Sequence, residues 1–389
     1  MSTTEYAPPA SDPRDEPGEN PLGRLSPEQL EQLGREFDAI HEEVYADLGE
    51  RDARYIRSTI RLHRQLVLAA RILLLGSRYR ALWLAGTASL SLAKILENME
   101  IGHNVMHGQW DWMNDPDINS RTWDWDTASP ADAWRHSHNY EHHTFTNIRG
   151  KDRDLGYEIM RIDPHQKWHP VYLLQPFYNL ILMGFFEWGV ALHDLNGEAI
   201  RKGEKPREQV IEELKAIGVK ARRQIVKDYV AFPALAAAVS GRRSFKTTLA
   251  ANFTANIIRN VWAHSIIFCG HFPDQTFTFS EQEVAGETRG GFYVRQLLGA
   301  ANIDGGPFFH LLAGNLSFQV EHHLYPDMPS SRYAEIAPRV REICSRYGLP
   351  YNTGPLHRQL GTVHRTILRL AFPGGGPRPK PGPYRPPAI

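Results

Sequence analysis

Histidine carries the chemistry of this sequence. The chain holds 18 histidines in 389 residues, and seven of them fall into HNVMH at 103–107, HNYEHH at 138–143 and QVEHH at 319–323. His103 and His107 stand four apart, as do His138 and His142, so on a helix each pair shares one face and can grip a metal. His143 points about 100° further round, which lets the adjacent pair His142–His143 serve two ions. Gln319, His322 and His323 again share one helix face. Packing does not explain such clustering, because imidazole is costly to bury unless partnered. His271, at the predicted end of the last apolar helix, brings the set to eight, four for each of two metals with positions left open for O2. Asn260 reads as a weak or water-mediated ligand, His264 as a satisfied helix histidine, and His136 as a supporting or surface residue.

The rest of the composition narrows the metal. The only cysteines are Cys269 and Cys344, which excludes a disulfide framework and any four-thiolate site and argues against iron–sulfur and structural zinc. No HExxH motif supplies a metallopeptidase base. Imidazole suits zinc, copper and iron alike. Paired His-His clusters point to two neighbouring metals, and histidine-rich non-haem di-iron is the reading, because two irons can supply electrons to O2.

These ligands need elements to hold them. Long apolar runs alternate with charged helical stretches, strands are poorly supported, and the expected fold is all-α. Apolar segments 62–76 and 81–96 form one candidate transmembrane hairpin, and 225–240 and 247–270 a second. A cytosolic helical cap would hold the di-iron site. Residues 26–58 read as an amphipathic helix starting at Ser26-Pro27-Glu28. All three histidine clusters must meet on one side of the bilayer, so the apolar stretch 171–192 should lie in the interface or under the cap rather than cross. Nine Lys/Arg against six Asp/Glu in 198–228 favour a cytosolic cap, although Arg pairs in both hairpin turns point the other way. The expectation is a multi-pass protein of the cell (inner) membrane with its active site facing the cytoplasm. Residues 1–24 and the Pro/Gly-rich 373–389 read as disordered tails, with one membrane domain plus cap over 25–372. The mean hydropathy of −0.43 and balanced charge, 44 Lys+Arg against 44 Asp+Glu, suggest no nucleic-acid partner.

At this point the motifs resemble a known family. The three clusters look like the histidine boxes of membrane fatty acid desaturases. The stretches KILENMEIGHNVMHGQWDWMNDP (94–116), KDYVAFPAL (227–235), IRNVWAHSIIFCGHFPD (258–274) and QVEHHLYPDMPSSR (319–332) are most similar to bacterial NADPH-dependent stearoyl-CoA 9-desaturases. The resemblance implies two iron ions, O2 as co-substrate and a cis double bond placed in a long-chain acyl-CoA, with stearoyl-CoA at position 9 foremost. Gln319 instead resembles front-end and some bacterial desaturases, so a front-end or phospholipid-linked desaturase stays open, as does a hydroxylase on the same scaffold. No cytochrome b5-like HPGG motif is visible, so electrons are expected from a separate NADPH-dependent flavin/iron–sulfur reductase. The acyl chain would lie in a narrow apolar tunnel lined from 81–99 and 247–262. Arg161, Lys167, Arg222 and Arg223 are candidates for the CoA phosphates, since Arg binds phosphate bidentately. A membrane metal or haem carrier would string its histidines along a transmembrane path, and a soluble helical binding protein would leave 171–192 without a purpose.

Overall fold

The computed structural model describes residues 21–380 and 382–386. Of the expected N-terminal tail, residues 1–20 lie outside the described residues. Residues Pro21–Arg24 form a short 3-10 helix with Pro21 buried. The described chain is mostly helical. Its one sheet joins two three-residue parallel strands, Asn302–Asp304 and Thr353–Pro355.

Both expected hairpins are present. The first pairs helix Glu50–Leu75 with Arg80–Ile95, and Gly86 permits their close approach, since a Cβ there would lie 2.8 Å from Leu74 Cγ. The second pairs Phe232–Ser240 with Arg243–His271 through Gly241, whose φ of +90° suits a residue without a Cβ. Ser77 in the first turn ties the hairpins together through Thr247 Oγ1 at 2.7 Å and Thr248 Oγ1 at 2.8 Å.

The expected transmembrane character needs correction. Among the described residues no helix is long and apolar enough to cross a membrane. The reason is that charges interrupt the apolar runs and turn inward. Arg71 and Lys94 meet the buried Asp228 at 2.8 and 2.9 Å, and buried Arg259 pairs with Glu187. Removing one partner of such a pair leaves a charge uncompensated and typically costs about 3–5 kcal/mol. The apolar side chains turn outward instead: Leu68, Ile72, Leu84, Leu235, Val239 and Phe253 are all exposed.

Residues 171–192 show the same inversion. The stretch breaks at Phe185 into helices Gln175–Gly184 and Phe186–His193 of 10 and 8 residues. At 1.5 Å per residue these reach about 15 and 12 Å, too short to span a bilayer. Gln175, Asn179 and Glu187 are buried while Phe177, Leu180, Ile181 and Leu192 are exposed, so the stretch is not covered by the cap.

The remaining helices pack around the metal-box segments. Helix Pro27–Ala46 starts where expected. Ser26 Oγ accepts from Gln29 N at 3.2 Å, and Gln29 Oε1 accepts from Ser26 N at 2.8 Å. It buries Leu33, Phe37 and Ile40 with Tyr293, Leu297, Val320, Tyr333 and Ile336. That core holds helices Arg289–Gly299, Gln319–Leu324 and Tyr333–Arg346 in one block. Among the described C-terminal residues, 374–380 and 382–386 have no regular helix or strand and lie along the body. Lys380 Nζ donates to Asp274 O at 2.8 Å, and Tyr384 N donates to Leu349 O at 2.9 Å.

Candidate metal centre

Two of the three histidine segments are carried on π-helices. Helix Arg80–Ile95 runs into a π-helix over Leu96–His103, and Ala131–Trp134 into another over Arg135–His142. A π-turn adds a residue to each turn and recurs at functional sites. Here it gathers three imidazoles of the second box: His138–His142, His138–His143 and His142–His143 ring centroids lie 5.1, 5.0 and 5.3 Å apart. The third box sits on the short buried helix Gln319–Leu324.

All eight nominated histidines meet. His103, His107, His138 and His322 form one group with candidate ligand atoms within 4.8 Å of one another, and His142, His143 and His323 form a second. His271 joins the second group, its Nε2 3.3 Å from His323 Nε2. His103 and His322 present their Nε2 atoms 3.4 Å apart. Two imidazole nitrogens bound about 2.1 Å from a shared ion at a tetrahedral angle would stand about 3.4 Å apart. The adjacent pairs divide unequally. His322 and His323 fall in different groups, whereas His142 and His143 share one, with His143 4.7 Å from His107 and 4.5 Å from His323 by ring centroid.

The donor set fits a metal pair. The buried Nε2 atoms of His107, His138, His142 and His143 have no hydrogen-bond partner in the protein, an arrangement that is costly without an ion. Burial, reinforced by neighbouring imidazoles, drives His103, His107, His143, His271, His322 and His323 well below the ordinary histidine pKa. They are therefore neutral lone-pair donors, the form a metal requires.

The supporting shell differs between the groups. His142 Nδ1 lies 3.1 Å from both oxygens of Asp152. Asp152 is itself held by Asn147 N at 2.7 Å and Asp154 N at 2.9 Å. Burial opposes a charge on His142, yet Asp152 and Asp154 raise it to about 9. Asp154 also reaches His138 Nδ1 at 3.4 Å and His193 Nε2 at 2.9 Å. His323 Nδ1 meets Gln296 Oε1 at 2.9 Å, and His322 Nδ1 meets Tyr333 OH at 3.2 Å. None of these supporting residues was expected from the sequence. The carboxylates of Asp152-Arg153-Asp154, some ten residues after the second box, were the available signal.

Gln319 lies at the centre, its Nε2 2.9 Å from His271 Nε2, and Gly270 makes the room, because a Cβ there would stand 2.8 Å from Gln319 Cγ. Asn260 does not join the cluster, since its amide donates to Gly184 O at 2.9 Å. His264 lies apart too, bonded to Asn179 Oδ1 at 3.0 Å and stacked on Phe268. His136 is exposed beside Glu141.

A narrow cavity opens onto His103 and His138. Met99, Trp125, Trp134, Tyr157, Phe186 and Val190 wall it, and Asn260 lines it. Trp125 and Thr127 also wall a second cavity beyond, where His63, Arg64, Lys220, Arg223 and Lys227 gather beside Asp124 and Asp126. Of the four cations nominated for an anionic head group, Arg223 alone lines a cavity adjoining this one. Arg161 is corrected to a structural clamp: it is buried, and its guanidinium donates to the carbonyls of Gln166 at 2.7 Å, Pro164 at 3.0 Å and Gly374 at 3.1 Å. Lys167 and Arg222 are exposed and line neither cavity.

Comparison with known proteins gives a consistent set of relatives. A family model described as fatty acid desaturase matches residues 81–355. An NADPH-dependent stearoyl-CoA 9-desaturase of Mycobacterium tuberculosis is 50% identical over 352 residues, covering 90% of this chain and 82% of the relative. An sn-1 linoleoyl-lipid 6-desaturase of Synechocystis is 26% identical over 281 residues, covering 70% of this chain and 76% of that protein.

Proposed function

The chain belongs to the fatty acid desaturase family, and from that premise we propose that it places a cis double bond in a long-chain acyl-CoA, with stearoyl-CoA at position 9 as the leading substrate. One observation carries the reading: a narrow cavity whose exposed wall is mostly apolar, with Asp154, Glu187, His193 and Asp194 at its edge, opens onto His103 and His138 and adjoins a surface cavity where four cations lie beside Glu97, Asp124 and Asp126. The apolar walls would take the methylene chain, and Arg64, Lys220, Arg223 and Lys227 would face the phosphates of its carrier. The half-identical mycobacterial relative supports the same substrate.

The metal of this reading is a pair of irons. His103, His107, His138 and His322 would hold one, and His142, His143, His271 and His323 the other, with Gln319 beside His271. When bound, such a pair supplies the O2-derived oxidant that an unactivated methylene requires. The residues of the chain do the rest. Trp125, Trp134, Tyr157 and Phe186 position the acyl chain and exclude water from the reacting carbons. Asp152 and Tyr333 fix the imidazole tautomers by taking up Nδ1. Electrons would come from a separate NADPH-dependent flavin/iron–sulfur reductase. The outward apolar faces of both hairpins and of 171–192 support a seat in the inner membrane, with the histidine centre on the cytoplasmic side.

A second reading, a front-end or lipid-linked desaturase, is favoured by Gln319 and by the cyanobacterial relative. Double-bond positions in the fatty acids of cells expressing the protein with its reductase separate the two. A new bond at position 9, lost in the His143→Ala variant, supports the acyl-CoA reading. A bond near the carboxyl end, or one confined to intact phospholipids, supports the other.

A further inference from the structure

We infer that a separate, larger cavity with a cation-rich rim, lined by His271, is the docking site of the electron donor, and that the donor presents an acidic face to it. The inference rests on the desaturase reading and adds where its electrons enter.

This cavity has a volume of about 590 Å³ and is lined by Arg149, His165, Asp274, Arg369, Arg378 and Lys380 among others. Of the eight clustered histidines, His271 alone lines it, whereas His103 and His138 line the narrow apolar cavity. The centre thus has two faces that open onto different chemistry. The narrow face exposes mostly apolar wall. The larger one mixes Leu155, Ile162, Phe272 and Phe277 with cations and carboxylates, and it brings a candidate metal ligand to a surface opening.

The charge of that opening is one-sided in sequence. Residues 356–386 carry Arg358, Arg365, Arg369, Arg378, Lys380 and Arg385 and no Asp or Glu. Arg358, Arg365 and Arg369 fall seven and eleven residues apart on helix Leu356–Leu370, so they share a face. Arg365 and Arg378 both pair with Asp274 on the cavity wall. Asp163, Asp274 and Glu283 offset part of the field, and five cations of the rim, Arg149, Arg365, Arg369, Arg378 and Lys380, outnumber those three carboxylates. Redox partners meet through small, polar, transient interfaces, and complementary charge steers their encounter.

A lipid surface is the competing occupant for a basic face. The exposed large apolar side chains argue against it, because none of them lines this cavity. Leu368 and Phe372, on and just after the same C-terminal helix, lie outside its lining. The electron balance requires an external donor. Each turnover takes two electrons, two protons, O2 and two substrate hydrogens to two waters and an alkene. Two one-electron transfers from a reduced iron–sulfur cluster, which is oxidised in each, would supply the electrons through this face.

The test uses the purified full-length holoprotein, with plant-type [2Fe–2S] ferredoxin and its NADPH reductase as the donor probe. Arg365→Glu with Arg378→Glu should weaken ferredoxin binding, measured by calorimetry at low ionic strength, by about tenfold or more. The difference should shrink as salt rises. The KM for ferredoxin should rise in step, with metal content and the rate of reduction by dithionite unchanged. Arg223→Glu, at the other cavity, should raise the KM for acyl-CoA and leave ferredoxin binding alone. Unchanged ferredoxin affinity in the double variant overturns the proposal, as does wild-type protein that binds no ferredoxin. A double variant that loses only its binding to phosphatidylglycerol vesicles also overturns it and assigns the face to lipid. Wild-type protein that desaturates nothing even with dithionite would instead sink the desaturase reading itself.

Discussion

The two halves of the histidine centre are built from the same side chain and supported differently. His142 leans on a carboxylate, Asp152, which two backbone N–H groups hold in place. Within the first group, His322 leans on a phenol, Tyr333, and only His138 is near a carboxylate, Asp154 at 3.4 Å. A carboxylate behind an imidazole raises its basicity and locks its tautomer more strongly than a neutral partner does. The lesson is that two neighbouring groups of candidate ligands can be made unequal by what stands behind them.

The largest effect that would break the comparison is at the residue between the halves. His143→Ala is expected to abolish activity and to lower iron from about two per chain, the stoichiometry of a paired site, as read by elemental analysis. His136→Ala and His264→Ala, outside the cluster, should keep both. Asp152→Asn leaves every candidate ligand in place and should lower metal affinity about 10–100-fold, measured by competition with a chelator. Tyr333→Phe, its counterpart in the other half, should cost less. Equal losses would mean that the halves are equivalent.

A smaller effect concerns acid. Six clustered histidines are held neutral by burial, below the unfolded value of about 6.5. As pH falls through that value the unfolded chain takes up protons that the folded chain refuses, so stability is lost on the acid side. The opposite sign holds for His142, raised to about 9, and for Glu100, which burial raises to about 8 despite hydrogen bonds from Tyr55, Ser330 and Asn315. Their contribution is present at low pH and lost as pH rises through those values. The melting temperature of metal-free protein should therefore fall as pH drops below about 6.5, and fall again as pH rises from about 6.5 towards 9, with the acid limb steeper because more groups feed it.

Much of the centre was legible because residue type and spacing together are rare by chance. Eight histidines chosen from eighteen converge on one site, and His264 and His136 stay out of it. The supporting shell was not legible in the same way. Asp152 and Asp154 look like ordinary loop carboxylates until the chain folds them under His142 and His138. The π-helices were invisible to a reading based on 3.6 residues per turn, which is why the partition of His142 and His143 came out differently from their spacing. The hairpins were found from their apolar runs. The destination of their charges was not legible, since Arg71, Lys94, Asp228 and Arg259 find their partners inside the bundle. Arg161 misled for a related reason: a cation near an apolar segment can clamp carbonyls as readily as it can face a phosphate.

The central claim is tested most directly by incubating purified, iron-loaded protein with an NADPH-dependent reductase, O2 and stearoyl-CoA and locating the new double bond by mass spectrometry. The account predicts oleoyl-CoA, with the bond at position 9 and no product from the His143→Ala variant. Saturated thioester recovered unchanged, while phospholipid-bound chains in the same mixture are desaturated, would contradict it.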